Sequence, residues 1–177
     1  RGTPVMFVAN HCSWMDIPFV GVSIGWRNYK IVAKQELLKV PILSKSLRTG
    51  GNVILDRTDR RSQLETFKRG VSYLKDGVNL VTFAEGTRSR DGRLKEFKKG
   101  AFKMAQKAGV PIVPVSVRGA HLVQPIEYVF PVRPSFRVGG GVHIGEMIET
   151  EGKTDEELME QVRGALIEGL PEEQRPL

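Results

Sequence analysis

A chain of 177 residues with 40% apolar side chains fits one domain large enough to bury a core, and excludes the disordered and fibrous classes. The single cysteine, Cys12, excludes an internal disulfide framework, and three scattered histidines beside it offer no zinc-ligand spacing. The net charge of +7 conceals an asymmetry: residues 1–148 hold 24 Lys and Arg against 11 Asp and Glu, whereas residues 149–177 hold 3 against 9.

A body this basic calls for an anionic partner, whether nucleic acid, an acidic membrane face or a phosphorylated ligand. Nucleic acid fits poorly, because only 7% of residues are aromatic and no basic-aromatic interleaving or recognition-helix pattern occurs. No apolar run approaches the roughly 18 residues that span a bilayer. The chain opens at Arg1 without an initiator methionine, so a fragment or processed product is expected, with any N-terminal membrane anchor upstream of this sequence.

In chain order, Val5-Met6-Phe7-Val8-Ala9 reads as a buried strand that delivers Asn10-His11. Residues 16–24 read as a helix with Ser13 as its cap, and 29–33 and 52–55 as strands. Leu64, Phe67, Val71 and Leu74 share one helical face over 59–75, with Ser62 and Glu65 at capping-box spacing and Asp76-Gly77 at its end. A strand over 79–83 leads through a charged loop to a helix near 98–108, stopped by Gly109 and Pro111. Strands follow over 112–117, 136–138 and 142–144, the last two around Gly139-Gly140-Gly141. Thr154 and Glu157 cap a final helix with the stripe Leu158, Val162, Ala165 and Leu166, ended by Gly169 and Pro171. Strands alternating with helices predict a single α/β domain with a central, mostly buried mixed sheet flanked by helices. The expected division is a core over 1–148 and an acidic C-terminal helix over 149–177, packed on the core or trailing it.

Three segments carry chemistry. A histidine leaving a buried strand with a carboxylate five residues on, His11 and Asp16, suits general-base work, because the carboxylate can fix the tautomer and stabilise the imidazolium. A turn histidine with a helix-capping aspartate would carry the same spacing. Arg57 follows the strand-like Val53-Ile54-Leu55 at a helix start, where a guanidinium fork and the helix dipole suit a phosphate. Glu85-Gly86-Thr87-Arg88 follows another strand; glycine admits close backbone approach, and Arg88 adds an anion fork. A plain salt-bridged turn has the same composition. Cys12 is set aside as a nucleophile, His121 and His143 are read as structural, and Trp14, Met15, Ile17, Phe19 and Val20 as core in preference to lipid-facing.

Together and in order, these segments resemble the 1-acylglycerol-3-phosphate acyltransferase family of glycerolipid synthesis. That family's Asn-His-x4-Asp matches residues 10–16, and its Gly-x-x-Phe/Ile-Ile/Leu-x-Arg matches Gly51 to Arg57. Its Phe-Pro-Glu-Gly-Thr-Arg-Ser matches Phe83 to Ser89 with Ala84 for proline, and its Val-Pro-Ile-x-Pro-Val matches Val110 to Val115. Lys34-Gln35-Glu36-Leu37 and Phe97 to Phe102 are also similar. The resemblance implies His11 as base, Asp16 as its orienting partner, and Arg57 and Arg88 as phosphate ligands with Lys34 a further candidate. It also implies that Glu85, Gly86 and Thr87 line the acceptor. The implied reaction moves a fatty acyl group from acyl-CoA or acyl-carrier protein to the sn-2 hydroxyl of a lysophospholipid, lysophosphatidic acid, giving phosphatidic acid. It implies no metal, no cofactor, no acyl-enzyme, no nucleic acid partner and a membrane-associated setting, peripheral or anchored upstream. Another acceptor, such as glycerol-3-phosphate or a different lysophospholipid, and a non-catalytic anionic-lipid binding module are the alternatives. The backbone N–H groups of the first motif are the expected oxyanion donors.

Overall fold

Alternation along the short apolar runs assigns each strand two faces. In the computed structural model, which describes residues 3–25, 29–35, 38, 44–45, 47, 49–56, 58–128 and 130–177, six strands form one sheet. They are β1 (Met6–Ala9), β2 (Tyr29–Lys34), β3 (Val53–Leu55), β4 (Asn79–Phe83), β5 (Ile112–Arg118) and β6 (Gly141–Ile144), in the spatial order β3-β2-β4-β1-β5-β6. The first five run parallel and β6 is antiparallel to β5, so the sheet is mixed as expected.

Met6, Val8, Leu80 and Ile112 face one core cluster, which is completed by α2 (Arg60–Lys75), α3 (Gly100–Ala108) and α5 (Asp155–Gly169). Ala9, Val81, Val115 and Val117 face the other, beneath α1 (Asp16–Ile24) and the single turn α4 (Ala120–Val123). The acidic C-terminal segment packs into the first cluster: Leu158, Val162 and Leu166 of α5 are fully buried there. The Thr154–Glu157 capping box forms in full, as its spacing predicts.

Three local expectations fail for physical reasons. Helix α2 is capped by Asp59, whose carboxylate accepts from Arg61 N at 2.9 Å and Ser62 N at 3.1 Å. The predicted Ser62–Glu65 box therefore does not form. Ser62 Oγ instead accepts from Asp56 N at 3.1 Å, and Glu65 meets Arg61 in an exposed ion pair. Ser13 is not the residue that opens α1, which is Met15; its hydroxyl donates to Gln124 and accepts from Met15 N at 3.1 Å, just ahead of the helix. The segment predicted as a strand at 136–138 is instead part of a 3₁₀ turn, Ser135–Arg137, with Gly140 N donating to Ser135 O at 2.8 Å.

Register places the carboxyl ends of the parallel strands level with one another: Ala9 lies beside Phe83 and Val115, and Lys34 beside Leu55. His11, Lys34 and the segment from Glu85 to Arg88 therefore follow or close their strands at one edge of the sheet, where open parallel sheets place their ligands.

Candidate active site

At that edge, Asn10 keeps β1 bonded to β5 after the backbone ladder stops. Its Nδ2 donates to Val117 O at 2.9 Å, and its Oδ1 accepts from Val117 N at 2.7 Å. With its neighbour's side chain standing in for the ladder, the backbone at His11 is free to turn out of the sheet.

His11 is then held from every side. Its backbone N–H donates to Glu85 Oε1 at 2.7 Å, and its carbonyl accepts from Ser89 N at 2.7 Å. Its ring stacks on Phe83 at 4.2 Å between centroids, and Nδ1 lies 2.7 Å from Asp16 Oδ2. That same carboxylate oxygen accepts from Cys12 N at 2.7 Å and Ser13 N at 2.9 Å. Asp16 is 0% exposed and opens α1, so its charge is compensated by three donors and the positive helix end. A carboxylate accepting at Nδ1 places the ring proton there and leaves the Nε2 lone pair for a substrate.

Cys12 lies beside this carboxylate, with Sγ 3.6 Å from Asp16 Oδ1. Burial first, and Asp16 second, push its thiol well above the ordinary value. It stays protonated, which agrees with setting it aside as a nucleophile.

The second half of the site follows β4. Gly86 adopts φ +72°, a left-handed conformation that other residues enter at a cost, and this turns the chain back over the strand end. Gly86, Thr87 and Arg88 line a cleft of about 740 Å³ together with His11 and Trp14. Ile31, Val32, Leu47, Leu55, Phe67 and Met104 line its apolar part. The Arg88 guanidinium sits 4.8 Å over the Trp14 ring, and its Nη1 is buried with no hydrogen-bond partner among the described residues. Burial lowers the Arg88 pKa from its usual value, with Asp16 opposing. A buried donor without an acceptor is costly, and an anion in the cleft would satisfy it.

Glu85 sits behind the wall of the cleft. It is 3% exposed, and its two oxygens accept from His11 N and from Lys95 N at 3.0 Å. Burial raises its pKa to about 7 against the pull of those two N–H groups. A carboxyl whose folded pKa exceeds its unfolded value contributes stability below the unfolded pKa and loses it as pH rises through the folded one. Fold stability should therefore decline between the ordinary glutamate range and about pH 7, by on the order of 3 kcal/mol. Denaturant titrations across that window should show the slope, and Glu85→Gln should flatten it.

From His11 to Asp16 the backbone N–H groups of the first motif are taken: His11 by Glu85, Cys12 and Ser13 by Asp16, Trp14 by Gln124 Oε1 at 3.1 Å, Met15 by Ser13 Oγ at 3.1 Å and Asp16 by the Ser13 carbonyl at 3.4 Å. The expectation that they stabilise an oxyanion is therefore corrected. Lys34 closes β2 at the same sheet edge, and Arg57 lies outside the described residues. Trp14, read from the sequence as core, lines the cleft. Asn10, Phe83 and Gln124 are the contributors that sequence reasoning missed. Their partners lie 72 to 111 positions away, and no local spacing signals those contacts.

Comparison with known proteins places this geometry in a family. The acyltransferase family model matches residues 1–118. A chloroplastic 1-acyl-sn-glycerol-3-phosphate acyltransferase of Brassica napus is 42% identical over 123 residues, covering 70% of this chain and 35% of that protein. The 1-acyl-sn-glycerol-3-phosphate acyltransferase of Saccharomyces cerevisiae is 36% identical, covering 96% of this chain and 56% of its own length. The crystal structure of the 1-acyl-sn-glycerophosphate acyltransferase PlsC from Thermotoga maritima superposes with a TM-score of 0.75 at 32% identity, over 94% of this chain and 64% of that one. This chain thus spans from about a third to just under two thirds of the length of these relatives. With the matched family model covering the two strand ends that deliver His11 and Arg88, the chain belongs to the acyltransferase family that contains the 1-acyl-sn-glycerol-3-phosphate acyltransferases.

Proposed function

We propose that this protein transfers a fatty acyl group from acyl-CoA or acyl-carrier protein to the sn-2 hydroxyl of lysophosphatidic acid, giving phosphatidic acid. The observation that carries the reading is the His11–Asp16 pair, 2.7 Å apart, opening on a cleft whose wall holds the unpaired Arg88 nitrogen. The relatives' names specify the same acceptor.

His11 Nε2 takes the proton of the acceptor hydroxyl as its oxygen bonds to the thioester carbonyl carbon. Asp16 stabilises the imidazolium so formed. The tetrahedral oxyanion collapses, the carbon–sulfur bond breaks, and the imidazolium proton passes to the departing thiolate. The products are an ester and a free thiol. A thioester is activated enough for direct attack by a hydroxyl, so the scheme needs no acyl-enzyme, metal or cofactor. The amides of Thr87 and Arg88 donate to no other described residue, and they are assigned to the developing oxyanion. Arg88 receives the acceptor's phosphate, with Lys34 and Arg57 assigned as further cations from the family motifs they match. Gly86 and Thr87 line the acceptor's glycerol, and Glu85 holds the His11 turn from behind. The apolar lining from Ile31 to Met104 receives acyl chain. Both substrates carry a long acyl chain and the acceptor is a lysolipid, so a membrane-associated setting is part of the reading. Among the described residues, no helix is long and apolar enough to cross a membrane.

The test is thiol release from oleoyl-CoA by the purified protein on liposomes, with and without lysophosphatidic acid. Release that requires the acceptor is expected. Release without acceptor would identify a thioesterase, and no release with either donor class would overturn the reading.

A further inference from the structure

Beyond α4, the described residues of 125–134 leave the body of the protein in a turn, closed by Tyr128 N donating to Pro125 O at 3.0 Å. Their apolar side chains point the wrong way for a folded core. Tyr128 is 54% exposed, Phe130 78% and Val132 48%. Of eight exposed large hydrophobic residues among those described, these three fall within five consecutive positions. Scattered exposed apolar residues are ordinary; a projecting cluster marks an interaction surface.

The cluster stands at the mouth of the cleft and is braced on the catalytic turn. Ile126, at its base, lines the cleft with Trp14. Gln124 is 1% exposed, and both the oxygen and the nitrogen of its amide are bonded. Its Oε1 accepts from Ser13 Oγ at 2.7 Å and Trp14 N at 3.1 Å, while its Nε2 donates to Tyr128 O. Val132 N donates to Val123 O at 2.8 Å, which ties down the far side. Pro125, Pro131 and Pro134 restrict the backbone between these ties. The result is a short apolar tip at a set position relative to His11.

The chemistry of the tip favours one occupant. Tyrosine and phenylalanine beside an exposed Arg133 suit the boundary between acyl chains and headgroups, where ring bodies bury and polar ends stay wet. The surrounding body, at 24 Lys and Arg against 11 Asp and Glu over residues 1–148, attracts anionic headgroups. We propose that Tyr128, Phe130 and Val132 insert into an anionic bilayer and seat the mouth of the cleft on it. The proposal deepens the acyl-transfer reading, because a cleft seated this way receives amphiphiles without passing their chains through water. Insertion itself requires no turnover.

The experiment places an environment-sensitive fluorophore on Phe130→Cys, with the buried, protonated Cys12 protected from labelling. Vesicles of phosphatidylcholine with a minority of phosphatidylglycerol should shift its emission to the blue, and nitroxide-bearing lipids should quench it. Tyr128→Ser/Phe130→Ser should weaken vesicle partition by about a hundredfold, roughly tenfold for each side chain withdrawn from apolar burial. The same double variant should keep its rate on short-chain, monomeric donor and acceptor. Water-like emission from vesicle-bound protein, or unchanged partition of the double variant, would overturn the proposal. A dimer formed without vesicles and dissolved by these substitutions would assign the patch to a second copy instead. Normal insertion without any acyl transfer would support the tip and sink the proposed reaction.

Discussion

His11→Ala should lower acceptor-dependent thiol release by about 10³-fold while leaving the fold intact, since general-base assistance contributes roughly 10²–10⁴. The loss belongs to chemistry because the backbone around His11 is held independently of its ring: Glu85 accepts from the His11 N–H, and Ser89 donates to its carbonyl. Asp16 keeps two backbone donors, Cys12 N and Ser13 N, after the ring is gone. Removing the imidazole leaves a slot between Phe83 and Asp16, and added imidazole should restore part of the rate. Circular dichroism and the denaturation midpoint check the fold, and initial thiol-release rates check the effect. A variant retaining a tenth of the activity would remove His11 from the role of base.

Asp16→Asn should lower kcat/KM by about 10²–10³-fold with little change in stability. One oxygen, Oδ2, accepts from His11 Nδ1, Cys12 N and Ser13 N, so an asparagine carbonyl can occupy its place and keep all three bonds. The tautomer and ring orientation then survive, and what disappears is the negative charge that stabilises the imidazolium. A fully buried charge-assisted bond of this kind is worth about 3–4 kcal/mol, the free energy of that rate loss. Asp16→Ala should be worse in both respects, because two buried N–H groups lose their acceptor. Steady-state kinetics beside guanidinium titrations separate the two variants. An asparagine variant as active as the parent would show that Asp16 only shapes the turn.

The His11–Asp16 pair was legible because it is local. Asp16 lies five positions after His11, and one turn into α1 closes that gap, so the spacing carries the geometry. The strands that deliver the site were legible for a related reason: runs such as Met6–Ala9 and Asn79–Phe83 are buried on both faces and lack any polar alternation. The Thr154–Glu157 box formed where its spacing placed it, since nothing competes for either side chain at that exposed helix start. Ser62 and Glu65 have the same spacing and formed no box. Asp59 lay one residue before the helix and offered its carboxylate to the free N–H groups, leaving Ser62 to accept from Asp56.

Residue type and short-range order thus sufficed for the α/β class, the strand ends and the pairing of His11 with Asp16, because each depends on interactions within a few positions of chain. Contacts across the sheet decided the rest. Glu85, read as a substrate contact, lies under the catalytic turn because β1 and β4 are neighbours in register, which brings its carboxylate to the His11 amide 74 residues away. The first-motif amides were spent on Asp16, Glu85 and Gln124, which moved the oxyanion assignment to the turn after β4. Trp14 left the core for the cleft wall beneath Arg88. Buried donors and acceptors must all be matched in the folded state, and which ones remain for a substrate depends on every partner that packing brings within reach.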